Sequence, residues 1–256
     1  MHLYFVRHGH STNNGLPIGD DHRRDPDPAL TETGSAQVRH LAHHLGARQT
    51  RAVEEEGRGC VRDGCPIGHL YCGLMRRALE TSALLGAALG LRPTVWPELH
   101  ELGGLWSTDP TTGAPIGLLG HGREHFTRTW PDLVLPDGLT GPWWGRPKET
   151  PEEGDARAGK LLERLLAAHG DEHVAILIVS HRGFYNVLLR RLLGLPATRS
   201  ASPVSFQLYN AGLSRLDLDR KGLQLVYQND TSFLPAKLLT ARRPDSRERD
   251  RSTRPA

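Results

Sequence analysis

Apolar residues along this chain fall into blocks of two different periods. Leu3-Tyr4-Phe5-Val6 is an unbroken apolar run, and so is Val174-Ala175-Ile176-Leu177-Ile178-Val179. Such runs, bounded by polar residues, read as strands covered on both faces. His69–Cys72 and Thr94–Trp96 read as shorter strands. Helical spacing recurs at Val38, Leu41 and Leu45, behind Thr31 as the expected N-cap. It recurs at Ala78, Ser82, Leu85 and Leu89 before Gly90, and at Leu161, Leu162, Leu165 and Leu166 before Gly170. A further helix is expected over 183–193, whereas residues 48–66, polar and Gly-rich, read as a loop or as a helix end followed by one. Three strands are expected near the end, over 206–210, 213–218 and 223–228, the last two joined by the turn Arg220-Lys221-Gly222. Strands alternating with helices predict a three-layer α/β/α sandwich, its central sheet mostly parallel with an antiparallel edge.

The pattern dissolves from Gly103 to Gly145, where nine Gly, five Pro and four of the five Trp gather. A stretch that long inside a compact enzyme is expected to be a lid or binding insertion, here 103–149, or else a flap whose Trp residues fill a satellite core. Residues 1–240 then form a single domain, and 241–256 an Arg-rich flexible tail.

With 256 residues, 38% hydrophobic and 24% charged, the chain can bury a sizeable core. The pI near 8.9 suggests nucleic acid at first sight. Residues 241–256, however, hold six Arg against three acids, which leaves the other 240 residues with 26 bases and 26 acids. A body with no net charge and no basic helix argues against a nucleic-acid partner. No apolar run approaches membrane-spanning length and no signal peptide is visible, so a cytoplasmic protein without a membrane partner is expected. Cys60, Cys65, His69 and Cys72 could be drawn as a zinc site, but their spacings match no common pattern, and buried or loop thiols are the plainer reading.

The candidate chemistry lies at strand tips. Arg7-His8-Gly9 ends the first apolar run, and His181-Arg182-Gly183 follows the central one. Between them stand Leu30-Thr31-Glu32-Thr33-Gly34, then Arg77-Ala78-Leu79-Glu80-Thr81 and Leu99-His100-Glu101. In this order the set closely resembles the histidine phosphatase superfamily, with its phosphoglycerate-mutase-like fold.

That resemblance implies metal-independent hydrolysis of a small phosphorylated metabolite, without a cofactor. It makes His8 the nucleophile, passing through a phosphohistidine, and Glu101 the proton donor. Arg7, Arg77, His181 and Asn14 would bind the phosphate. Arg182 adds charge at the pocket mouth, and a homodimer is left open. Guanidinium forks suit the equatorial oxygens of a transferring phosphoryl group, and a neutral imidazole suits the in-line attack.

Three departures stand out. His10 occupies a position where the family usually has Glu or Gln, Arg182 one where it has Gly, and Gly73-Leu74 replaces a frequent Ser-Pro. The stretch from Gly103 to Asp109 does not resemble the basic motif of the family's mutases, which favours hydrolysis over a mutase-type phosphotransfer. A non-catalytic phospho-ligand-binding relative is the other alternative, although every expected polar position is filled.

Overall fold

The computed structural model describes residues 1–16, 23–54, 65–170, 172, 175–198, 200–219 and 222–240. The elements follow in order β1 (His2–Arg7), α1 (Glu32–Glu54), β2 (Ile67–Cys72), α2 (Arg76–Leu89), β3 (Thr94–Val95), β4 (Trp106–Thr108), β5 (Pro115–Gly117), α3 (Arg123–Thr129), α4 (Pro151–His169), β6 (Ala175–Ser180), α5 (Arg182–Leu192), β7 (Leu213–Asp219) and β8 (Gly222–Asp230). Six strands form one sheet in the order β3-β2-β6-β1-β7-β8. The first four run parallel, and β7 and β8 add the antiparallel edge.

Strand pleating sends alternate residues to opposite faces, and both faces are covered. Tyr4, Val6, Leu177 and Val179 pack with Val38, Leu41, Ala78 and Leu85 of α1 and α2. Leu3, Phe5, Ile176 and Ile178 pack with Ala158, Leu161, Phe184 and Val187 of α4 and α5. This is why β1 and β6 carry no polar alternation. Among the described residues, no helix is long and apolar enough to cross a membrane.

Helix ends follow local chemistry. Thr31 Oγ1 accepts from Gly34 N, so it caps α1 as expected. Thr150 and Glu153 form a capping box that starts α4 earlier than apolar spacing alone shows. Gly90 ends α2 in the left-handed region at φ 68°, whereas Gly170 ends α4 with helical angles, so its glycine character is not used there. α1 runs on to Glu54, well into the stretch 48–66.

The expected strand over 206–210 is not one. Its backbone groups bond to side chains instead: Phe206 N and O to Asn186, Tyr209 N to Asn229, and Leu208 O to Arg7. The place beside β1 is taken by β7.

The Trp-rich segment packs against the body. It holds the β4–β5 hairpin and α3, and its Phe126, Leu133 and Leu139 join the cluster under α1 and α2. Val134 bridges Thr94, extending the sheet edge. Trp144 lies so close to Gly104 that a Cβ there would sit 2.0 Å from its ring.

Cys72 is a buried free thiol, pushed up to about 12 by burial. Cys65 is disulfide-bonded rather than a free thiol, a departure from expectation. Cys60, the turn residues Arg220 and Lys221, and the tail 241–256 lie outside the described residues.

Candidate active site

The site begins with register. β1 and β6 are parallel neighbours with Arg7 opposite Ser180, so the next residue of each strand, His8 and His181, emerges at the same sheet edge. His8 N donates to Ser180 O at 3.0 Å, and the two imidazole centroids are 5.1 Å apart. Ligands collect at this carboxyl edge in open α/β sheets.

Close backbone approaches shape the loop behind His8. A Cβ on Gly9 would lie 2.6 Å from Gly34 O, and one on Gly34 would lie 2.0 Å from His10 O. The two glycines of separate motifs are therefore pressed together. Thr81 Oγ1 accepts from Gly9 N at 3.2 Å and donates to Arg77 O at 2.7 Å, tying the loop to α2.

His8 Nδ1 is 2.7 Å from Gly9 O, so that nitrogen carries the proton and Nε2 carries the lone pair. Arg77 Nε donates to this Nε2 at 3.1 Å. Burial, then Arg77 and Arg7, hold His8 well below the ordinary histidine value. The same causes hold His181 well below it, with added contributions from His8 and His100. Both rings are neutral at pH 7.

Arg77 is buried too, and Arg7 is half-buried. Arg7 Nη1 donates to Leu208 O at 2.9 Å, and burial with nearby Arg182 and Arg77 lowers Arg7 to about 9. Among the described residues, Arg7 Nε and both ring nitrogens of His181 are buried without a hydrogen-bond partner.

Glu101 is brought to the same edge through α5. Its Oε1 accepts from Leu102 N at 2.8 Å and Phe184 N at 2.9 Å, and its Oε2 from Gly183 N at 3.3 Å. The helix N-terminus thus holds the carboxylate. A Cβ at residue 183 would lie 2.4 Å from Oε1, so the glycine leaves room for it.

Asn14 is exposed and reaches the cluster indirectly. Its Oδ1 accepts from Ser11 N, Ser11 Oγ and Asn210 Nδ2, and Asn210 Nδ2 also donates to His8 O. Arg182 opens α5 at the rim, its Nη1 3.5 Å from Gln207 Oε1 and its charge felt by Arg7. His10 turns its Nδ1 to Thr31 Oγ1 at 3.0 Å. Gly73, just before the Arg loop, runs hard against Leu99: a Cβ at residue 73 would lie 2.8 Å from the Leu99 backbone.

Three groups are not evident from the sequence. Asp27 Oδ1 accepts from Arg76 N at 2.8 Å and lies 3.9 Å from Arg77 Nη1. Burial outweighs Arg77 and raises Asp27 to about 6. Its place just before Leu30-Thr31 is the one signal that could have found it. Asn210 lies some two hundred residues from its partners, and no local pattern marks it.

The third is the pair Glu149–Arg157. The Glu149 side chain has no solvent exposure, and it meets Arg157 Nη2 at 2.5 Å and His100 Nε2 at 3.5 Å. Arg157 Nη1 also donates to Glu98 O and His100 O, the carbonyls on either side of Leu99. The flap is thereby bolted to the loop that carries Glu101.

The family model of the histidine phosphatase superfamily, branch 1, matches residues 3–231. An adenosylcobalamin/alpha-ribazole phosphatase of Salmonella typhi is 25% identical over 220 residues, covering 85% of this chain and 91% of the relative. The Escherichia coli (strain K12) protein of that name is 23% identical over 235 residues, covering 91% and 98%. Among solved structures, mycobacterial glucosyl-3-phosphoglycerate phosphatase superposes with a TM-score of 0.57 at 22% identity, covering 90% of this chain and 99% of that one. The alpha-ribazole phosphatase of Shigella flexneri does so with a TM-score of 0.53 at 20% identity, covering 90% and 96%. With the family model spanning nearly the whole chain, this chain belongs to branch 1 of the histidine phosphatase superfamily.

Proposed function

We infer that this chain is a phosphatase that hydrolyses a small phosphorylated metabolite through a phosphohistidine on His8, with no metal in the chemistry. One observation carries the reading. Two buried neutral imidazoles converge with the buried Arg77 and the half-buried Arg7, and Arg7 Nε and the His181 nitrogens lack partners among the described residues. Buried polar groups are seldom left unmatched, and a tetrahedral oxyanion would match these.

In the first step Glu101 enters as the carboxylic acid: His8 Nε2 attacks phosphorus, the bond to the leaving oxygen breaks, and Glu101 gives that oxygen its proton and becomes the carboxylate. Arg77 Nε, which caps the His8 lone pair at 3.1 Å, turns to the phosphate oxygens as the substrate arrives. Arg7, Arg77, His181, Asn14 and Arg182 share the phosphate charge. In the second step Glu101 takes a proton from water, the water oxygen bonds to phosphorus, and the bond to His8 breaks. Phosphate leaves, and both residues are restored.

The curated relatives and solved neighbours are named for different substrates, so the metabolite is to be found by a screen of phosphorylated compounds with and without EDTA. Activity should survive EDTA and be blocked by vanadate. Alkaline quench during turnover of a labelled substrate should trap base-stable, acid-labile phosphate on the protein. His181→Ala should still be labelled while slowed about 100- to 1000-fold, the usual cost of one oxyanion donor. His8→Ala should take no label. Label on His8→Ala, or activity that vanishes in EDTA and returns with a divalent ion, would overturn the reading.

A further inference from the structure

On the α4 side of the sheet, away from the edge that carries His8 and His181, β2 presents His69 and Tyr71 to the C-terminal end of α4. There His69, His169 and Glu172 come together, with one potential ligand atom from each lying within 4.8 Å of the others. His169 Nδ1 is 2.8 Å from Glu172 Oε2, and His69 Nε2 is 3.8 Å from the same oxygen. We propose that these three side chains form a structural binding site for a divalent transition-metal ion, zinc above all, separate from the phosphatase chemistry.

The distances suit such an ion. Zinc holds imidazole nitrogen and carboxylate oxygen at about 2.0–2.2 Å, so its ligand atoms stand roughly 3.3–3.5 Å apart when tetrahedral. The observed separations of 2.8 and 3.8 Å bracket that value, and small side-chain rotations reach it. Two imidazoles with one carboxylate favour zinc, nickel or copper over the oxygen-loving magnesium and calcium.

The surroundings fit as well. Tyr71 Oη lies 2.8 Å from His169 Nε2, which gives the buried imidazole the outer hydrogen bond that metal-bound histidines usually have. Without metal, His169 Nδ1–H donates to Glu172 and Nε2 accepts from Tyr71. With metal on Nδ1, that proton moves to Nε2 and is donated to the tyrosine oxygen, so the ring stays neutral and no net proton is released. The His69 and Glu172 side chains are 39% and 50% exposed, leaving an entry path and room for water as a further ligand.

The ion would fasten β2 to the turn between α4 and β6, joining segments about 100 positions apart in the chain. Its effect should be on stability, with turnover unchanged.

The test is zinc titration of full-length, metal-stripped protein by calorimetry, with metal quantified after equilibrium dialysis. Wild type should bind one equivalent and melt at a higher temperature when loaded. His69→Ala and Glu172→Gln, both at partly exposed positions, should weaken binding by at least about 10- to 100-fold, the range that even outer-shell changes reach, and Tyr71→Phe should fall within that range. All should keep phosphatase activity in EDTA, which separates failure of this site from failure of the functional reading. Absence of stoichiometric zinc binding by wild type, or equal binding by wild type and both ligand variants, would overturn the proposal.

Discussion

Glu149→Gln should both destabilise the protein and slow it. In the native chain Glu149 accepts from Arg157 Nε at 2.8 Å and from Nη2 at 2.5 Å, with its carboxylate wholly enclosed. Burial by itself would raise Glu149, but the hydrogen bonds and charge of Arg157 reverse this and hold it far below the usual carboxylate range. Removing one charge of a buried pair strands the other, which costs about 3–5 kcal/mol. The glutamine oxygen still accepts one N–H, so about 3 kcal/mol is expected, or a fall of roughly 6–12 °C in Tm for a chain of this size. Arg157 also fastens the carbonyls of Glu98 and His100, and Glu101 is the next residue. A displacement of about 1 Å at a reacting group can cost on the order of 100-fold in rate, so kcat should fall by about 10- to 100-fold. KM should change little, because the cations proposed to bind phosphate lie elsewhere. Calorimetry and steady-state kinetics read both effects. The sign with pH follows from linkage: a carboxyl depressed in the native state contributes stability above its unfolded value, near 4.5, and loses it as pH falls. Wild type should therefore lose its advantage over the variant on acidification. A Tm within about two degrees of wild type at pH 7, with kcat unchanged, would refute the bolt.

Three further outcomes are expected. Asp27, raised to about 6, binds its proton more tightly folded than unfolded, so its contribution to stability is lost as pH rises from about 4 to about 6. Ionised Asp27 also competes for Arg77, so Asp27→Asn should bind phosphate more tightly than wild type above pH 6 and equally below it, measured by competitive inhibition; parallel profiles would refute this. Gly183→Ala places a Cβ against Glu101 Oε1, and should lower kcat by about 10- to 100-fold while the phosphate inhibition constant stays put. Gly34→Ala drives a Cβ into His10 O and should cost about 1–3 kcal/mol or more in urea unfolding, with an unchanged midpoint counting against the close packing of the two loops.

Much of this fold is legible because parallel strands buried on both faces write themselves as unbroken apolar runs. β1 and β6 do so, and their one-to-one register carries Arg7-His8 and His181 to one edge. The α2 helix is legible for a second reason: the Arg and Thr of its motif lie one turn apart, where Thr81 Oγ1 can accept from Gly9 N while Arg77 faces His8. Alternation misleads at 206–210. Phe206 and Leu208 have strand spacing, yet the neighbouring place is filled by β7, and side chains from distant elements take up the backbone groups. The Trp-rich stretch is silent about its own packing, because the partners of Trp144 are Gly104 and His100 rather than periodic neighbours.

The part of the site that is hidden in the sequence is its set of neutral acceptors, together with Asp27. Apart from Glu101, the motifs announce cations and imidazoles, and these alone would repel one another: burial and neighbouring cations lower Arg7 to about 9, and His8 and His181 fall well below their ordinary values partly through Arg77 and Arg7. What holds them in place is dispersed. Leu208 O, Gly9 O and Met75 Sδ accept from the three nearest donors, and Asn210 links His8 O to Asn14. Backbone acceptors have no residue type, so no sequence motif records them. They also matter for the chemistry. Carboxylates in direct contact would neutralise the guanidiniums and fill the pocket with competing oxygens, whereas carbonyls orient the donors and leave most of their charge unspent. Among the described residues, the carboxylate that pairs with Arg77 is Asp27, at 3.9 Å, and burial keeps it half-protonated near pH 6. On the proposed mechanism, a doubly charged phosphate entering this edge would relieve a repulsion that the fold maintains in its absence, and that difference would be available to hold the phosphoryl group in line with His8.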